Sequence, residues 1–319
     1  MSVHAATTAQ GTVDEDVAAP GHSRVWWALR HDPSFWIGLT GVVLIIGAAV
    51  LAPLIAPHDP DQQFRRQGLT PKGDPLGPSA LFPLGTDTLG RDYLSRLLYG
   101  AQASLTVGLG ANFIATAIGV AVGALAAFIG TPRVHFMLLG ALREVRVPVE
   151  GLLMRITDAV LSFPALLLAI ALVAVVGPSL GIVIVVIASV LWTGIARIVY
   201  SRVIVVRETE FVLAARALGV GQMRILIRHI MPHLISLVLV YATLGIASTV
   251  LFEATLSFLG VGIPPPGASW GREISEGLGY YVTDPRLVIL PGLAIMVTIL
   301  AFNLLGDALA DAFDPHHWR

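Results

Sequence analysis

Residues 210–233 read EFVLAARALGVGQMRILIRHIMPH, and they lie between two long apolar runs. Three arginines, Arg216, Arg224 and Arg228, fall in this stretch, in a chain that is otherwise mostly lipid-compatible. Phe211, Ala214, Ala215 and Leu218 recur at helical spacing, and so do Met223, Leu226, Ile227 and Ile230. Gly219 and Gly221 punctuate the two halves, and Pro232 is expected to close the second. The pattern predicts a helix–glycine–helix at a membrane surface, a shape suited to a partner's groove.

The composition around this stretch is that of a membrane protein. The chain is 55% hydrophobic and 13% charged, with a mean hydropathy of +0.78. A soluble domain carries roughly 25% charged residues. The net charge of −1 gives no reason to expect a nucleic-acid partner. The absence of cysteine excludes disulfides, thiolate catalysis and cysteine-ligated metals. Lys72 is the only lysine, so no G-x-x-x-x-G-K-[ST] phosphate loop can exist here. If ATP drives this protein, another chain hydrolyses it.

A membrane span needs about 20 apolar residues. Six runs qualify: 36–56, about 105–129, about 159–176 with an amphipathic approach at 152–157, 179–199, about 234–256 and 287–305. The expected fold is therefore an all-α membrane protein with six transmembrane helices. Lysine and arginine set its orientation. With the N-terminus inside, two fall in the tail, four in 130–155, six in 197–229 and one at the C-terminus. Five fall in 57–103 and two in 259–286, both outside. The bias predicts both termini in the cytosol. Residues 1–35 are read as a cytosolic tail and 57–103 as a structured extracytoplasmic loop. Residues 104–309 form the main transmembrane domain, with five helices and a surface loop at 207–232, and 310–319 form a cytosolic tail.

Four further motifs join the first. They are PLGTDTLGRDYLSRLLYGAQASL at 83–105, MRITDAVLSFPALLL at 154–168, EATLSFLGVGIPPPGASWG at 253–271 and FNLLGDALADAFDP at 302–315. In this order and spacing the chain resembles the C-type permease subunits of the dipeptide/oligopeptide/nickel ABC importers, over about residues 34–315. Residues 210–233 resemble the EAA loop of that family. The usual glutamate directly before the two alanines is replaced by Leu213, and Glu210 lies about one helical turn earlier.

The resemblance implies a type I importer permease fold with a cytosolic coupling helix. It implies a homologous second permease subunit, two cytosolic ATPase subunits that bind ATP and magnesium, and an extracytoplasmic solute-binding protein. It implies a bacterial cytoplasmic-membrane location and no catalytic, cofactor or metal residue on this chain. The ATPase-coupling set is Glu210, Ala214, Ala215, Arg216, Leu218, Gly219, Arg224 and Pro232. Glu253, Phe258 and Trp270 are candidates for the pathway or its gate. Peptide, nickel and glutathione importers share this permease type, so the substrate stays open.

Other residues weigh toward structure. His229 and His233 are four apart, but no carboxylate or cysteine is near in sequence, and contacts with headgroups or a partner are the expectation. His316 and His317 read as solvated. Asp158 is expected to pair with Arg155, three residues earlier. Glu253 is expected either on the pathway or capping a neighbouring helix. Arg91, Asp92 and Arg96 read as a rigid charged corner in which neighbours neutralise one another. Pro264, Pro265 and Pro266 with Trp270 read as a stiff turn. Asp307, Asp311 and Asp314 read as helix-end solvation. The segment 131–151 is longer than a simple turn, and its role is open. A gradient-driven transporter would carry paired ionisable residues at span centres. The span centres here are almost free of charge. An intramembrane enzyme would carry a nucleophile–base or metal constellation, and none is seen.

Overall fold

A computed structural model describes residues 22–129, 133–138, 141–146 and 149–313. Helix α1 is His22–His31 and α2 is Pro33–Val50. Asp32 caps α2 by accepting from the Ser34 amide at 2.7 Å, with Pro33 at the first helical position. A single turn, α3 (Ala52–Ile55), ends this leg. The tail expected over 1–35 is thus helical in part. Leu29 of α1 is buried in one cluster with Phe35, Ala308 and Ala312, which ties α1 to the end of the last helix.

Helix α4 runs Tyr93–Ile129, about 55 Å at 1.5 Å per residue. It extends well beyond a ~30 Å hydrocarbon core, so its first turns stand outside the span expected at 105–129. It packs on α7 (Leu180–Arg207) through small residues. A side chain at Gly123 would come within 2.4 Å of the Ala196 carbonyl, so only glycine lets the two backbones approach this closely.

Between them the chain makes three unlike pieces. Strands β1 (Arg133–Leu138) and β2 (Ala141–Arg146) pair antiparallel, Arg133 opposite Arg146 and Leu138 opposite Ala141. This hairpin occupies most of the long segment whose role was open, and it is the sole sheet among the described residues. Helix α5 (Val149–Leu161) and α6 (Ala165–Val176) follow, bent by 88° at residues 162–164. Pro164 has no amide proton to continue α5 and disfavours helical backbone at Phe163. The third expected span is therefore broken. At 12 residues, α6 is about 18 Å long and does not cross a bilayer alone.

Helix α8 (Glu210–Ala217) is the short surface helix, followed by α9 (Gln222–Ile225), one wide turn over 226–230 and α10 (Met231–Phe258). Together 222–258 form one long apolar helix. Pro232 therefore does not close a second surface helix, as its position suggests. In the wide turn the Met231 amide reaches back five residues to the Leu226 carbonyl. A π-type turn is a known way for a helix to carry a proline whose ring would strike the carbonyl four residues back.

Helix α11 (Trp270–Gly277) lies across the ends of α4 and α10, and α12 (Arg286–Phe313) completes the bundle. Among the described residues five helices are long and apolar enough to cross a membrane, or six if the bent α5–α6 pair is one span. Polar pins join them inside. Asn112 donates to the Ala242 carbonyl at 2.7 Å, and Thr249 donates to the Gly108 carbonyl at 2.8 Å. Large apolar side chains such as Val175 and Leu54 face outward, as a lipid-facing exterior requires.

Candidate coupling surface and the family of the chain

Helix α8 is set by its two ends. At its start, the Thr209 hydroxyl donates back to the Val206 carbonyl at 2.6 Å, turning the chain out of α7. At its end, the Gly219 amide donates to Arg216 at 2.9 Å and the Val220 amide to Ala215 at 3.1 Å. This is the two-bond helix stop that needs a left-handed residue, and Gly219 has φ +75°. Between these ends one face is anchored. Val212 and Ala215 are buried in a cluster with Phe128, Val203, Val206, Ile225 and Ile230.

The opposite face is bare. Leu218 is 84% exposed, and Phe211 and Leu213 are exposed beside it. Glu210, Ala214, Arg216, Gly219, Arg224 and Pro232 are exposed as well. No atom comes within 4 Å of a side chain built at Gly219. The structure therefore divides the set read from the sequence. Seven residues of the set reach solvent, whereas Ala215 turns inward and anchors the helix. Arg216 lies over the Phe128 ring at 5.7 Å, a cation–π contact that orients its head. His233 lies against Phe211, with ring centroids 5.0 Å apart.

The other end of α4 holds the charged corner. Arg96 is fully buried and binds Glu273 at 2.7 and 3.0 Å, Asp61 at 3.0 Å and the Pro266 carbonyl at 2.8 Å. Arg91 pairs with Asp87 and with Glu276 at 2.8 Å, and Arg272 pairs with Glu276 at 2.6 Å. The sequence reading paired each arginine with its neighbour Asp92. Asp92 instead accepts from the Ser95 amide and hydroxyl, at 2.9 and 2.6 Å. Asp87, Glu273 and Glu276 bring carboxylate oxygens within 4.8 Å of one another, and the three arginines meet that charge. Burial pushes the Glu273 carboxyl up to about 7; Arg96 opposes the rise, and Glu276 and Asp87 add to it.

Glu253 is buried, and it accepts from the Ser257 hydroxyl at 2.6 Å. Trp270 is buried and donates from Nε1 to the Leu97 carbonyl at 3.1 Å. In this conformation both are enclosed by the chain's own helices and hold α11 to α4 and α10. Phe258 alone of that trio is exposed. Asp158 pairs with Arg197 of α7, not with Arg155: the α5–α7 contact brings the two together, and both stay exposed. Asp307 and Asp311 are exposed on α12. Asp314, His316 and His317 lie outside the described residues.

A bundle of apolar helices with an anchored, outward-facing surface helix at one end and a charge-locked cap at the other is the architecture of a multi-pass membrane protein. Residues 119–319 match the family of binding-protein-dependent transport system inner membrane components, and residues 23–71 match the N-terminal transmembrane domain of oligopeptide transport permease C. The chain belongs to this family and is a permease subunit of a multi-subunit ABC transporter of the inner membrane. It is 41% identical over 287 residues to a putative peptide transport system permease protein of Brucella abortus biovar 1 (strain 9-941), covering 90% of this chain and 89% of the relative. It is 38% identical over 290 residues to the di/tripeptide transport system permease protein DppC of Pseudomonas aeruginosa (strain UCBPP-PA14), covering 91% and 90%. It is also 38% identical over 305 residues to the glutathione transport system permease protein GsiD of Escherichia coli O6:K15:H31 (strain 536 / UPEC), covering 94% and 92%.

Proposed function

We propose that this chain forms half of the pathway of an ATP-driven importer of short peptides and receives the energy of hydrolysis at residues 210–219. One observation carries the reading. Helix α8 has an inner face fixed in the bundle core and an apolar tip, Leu218, that is 84% exposed. A helix held this way moves its neighbours when its tip is pushed. Val212 and Ala215 transmit the push to the ends of α4 and α7 and to the start of the 222–258 helix. Glu210, Arg216 and Arg224 flank the tip and supply charges for a partner's groove.

Hydrolysis falls to partner chains, because the sole lysine is Lys72, far along the chain from this surface. The partners are a homologous second permease, two cytosolic ATPases that bind ATP and magnesium, and an extracytoplasmic solute-binding protein. The termini and α8 face the cytosol, and the charged corner faces out. Relatives named for peptides, di/tripeptides and glutathione, itself a tripeptide, support short peptides as the substrate class. Phe258 remains the candidate for a pathway contact, while Glu253 and Trp270 hold the outer cap.

The test is uptake of a radiolabelled dipeptide into proteoliposomes carrying the full set of subunits. Uptake is expected only with ATP, both permeases, the ATPases and the binding protein present. Uptake driven by an ion gradient through the chain alone would sink the proposal in favour of a secondary transporter.

A further inference from the structure

A cavity of about 440 Å³ opens on the flank of the bundle between α7, α10 and α12. Its lining includes Arg202, His233, Ser236, Leu237, Val240 and Leu244, and no lining residue is acidic. The geometry of the helices makes it a trough. At its closed end Leu244 seats on α12, where a side chain built at Gly306 would come within 2.4 Å of it. From that contact the trough follows α10 back to His233. The distance from residue 244 to 233 is about 16 Å along the helix, about half of a ~30 Å hydrocarbon core. The whole trough is therefore about one leaflet deep, and its apolar part, Leu237 to Leu244, takes up about 10 Å of that.

The open end is cationic and donor-rich. Arg202, His233 and Ser236 gather there, and Tyr241 lines the trough further along. On the same helix Arg197 pairs with Asp158 and Arg207 with Glu208. Among the described residues Arg202 has no carboxylate partner and is exposed. An unpaired guanidinium favours a phosphate, which it can hold by two parallel hydrogen bonds. A trough about one leaflet long, with a phosphate-binding head and an apolar inner part, fits one class of molecule.

We propose that this trough binds an anionic phospholipid of the α8-side leaflet, its phosphate on Arg202 and Ser236 and an acyl chain along Leu237, Val240 and Leu244. Bound there, the lipid bridges residues 233–244 of α10 to the end of α12, and His233 at its head packs on Phe211 of α8. Phosphatidylglycerol, with one net negative charge, is the probe.

The experiment is native mass spectrometry of the assembled transporter released from detergent, titrated with phosphatidylglycerol and, separately, phosphatidylcholine. The wild type is expected to retain phosphatidylglycerol over phosphatidylcholine. Arg202→Ala should weaken retention about tenfold by removing a charge-assisted pair, and Val240→Trp should block it by filling the channel. Arg155→Ala, which changes an exposed arginine elsewhere, should leave it unchanged. Glycerol phosphate should not displace the lipid. Equal lipid retention by wild type, Arg202→Ala and Val240→Trp overturns the proposal. So does full displacement by glycerol phosphate, which would reduce the site to a phosphate contact. Loss of the second permease from Val240→Trp with lipid retention intact also overturns it, and assigns the trough to a subunit interface.

Discussion

At one end of α4, Arg96 is buried and satisfied four times over by this chain. At the other end, about 48 Å away along the same helix, Arg216 rests on Phe128 with its charge open to solvent. Both ends carry arginines beside a short helix, α11 at one and α8 at the other. At the first end the charges are spent inside the chain, and α11 is fixed by Arg96–Glu273 and Trp270–Leu97 contacts. At the second, α8 is held without an ion pair among the described residues, by Val212 and Ala215 in the core, Arg216 on Phe128 and Phe211 on His233, and its charges and its leucine tip face outward. Arginine count alone does not distinguish a structural corner from a docking surface. What distinguishes them is whether the chain supplies the counter-charges.

The sharpest way to break this contrast is to unpair the satisfied end. Arg96→Leu leaves Glu273 buried without its cation, which typically costs about 3–5 kcal/mol. The expected result is a large fall in melting temperature of the purified protein and rapid proteolysis within 57–92. A melt unchanged from wild type would show that the corner is not a lock.

The next effect is at the open end. Gly219→Val places a β-branched residue at φ +75°, which costs about 1–2 kcal/mol locally. The side chain meets no neighbour within this chain, so membrane insertion and yield should be near normal. Uptake should nevertheless fall more than about tenfold, since a displacement of the tip by only about 1 Å misaligns a positioned contact. Gly219→Asn, which tolerates the left-handed backbone, should retain more uptake than the valine variant. Normal uptake by Gly219→Val would remove this residue from coupling.

A third test concerns pH. The folded Glu273 carboxyl titrates near 7, above its unfolded value of about 4.3. The folded state then binds the proton more tightly. The cost of its ionised form is full above pH 7, and it is relieved as pH falls from about 7 toward the unfolded value. Hydrogen exchange of α11 should therefore slow between pH 8 and pH 5.5 after correction for intrinsic rates, and Glu273→Gln should flatten that dependence. Faster corrected exchange at the lower pH would reverse the assignment. The smallest effect is expected at the exposed Arg197–Asp158 pair: Arg197→Ala should change stability by less than about 1 kcal/mol.

Much of this contrast was legible in the chain. Five of the six apolar runs fall on the long helices, although α4 and the 222–258 helix each begin 12 residues before the run that marked them, and the spacing of Phe211, Ala214, Ala215 and Leu218 marked α8 as a helix, three of the four outward. Gly219 marked its stop, because a left-handed residue there is a local requirement. Three features were not legible. The Arg96–Glu273 pair joins residues 177 apart in sequence, and a single sequence pairs arginine with its neighbours by default. The wide turn before Pro232 lets a helix run through a residue that ordinarily ends one. The inward turn of Ala215 depends on Phe128 and Val203, which only the tertiary fold brings near. The kink at Pro164 carried a visible signal, since proline lacks the amide proton that continues a helix and disfavours helical backbone at the residue before it, but the length and hydropathy of the run favoured one unbroken span.

The central claim is that Leu218 meets an ATPase subunit, and the absence of native cysteine makes it directly testable. Leu218→Cys and Leu89→Cys each place a single thiol on an exposed site at opposite ends of the molecule. In the assembled transporter, a short thiol-reactive photo-crosslinker at position 218 is predicted to capture the ATPase subunit, and the same reagent at position 89 is not. Capture of the ATPase from position 89 but not from 218 would contradict the account.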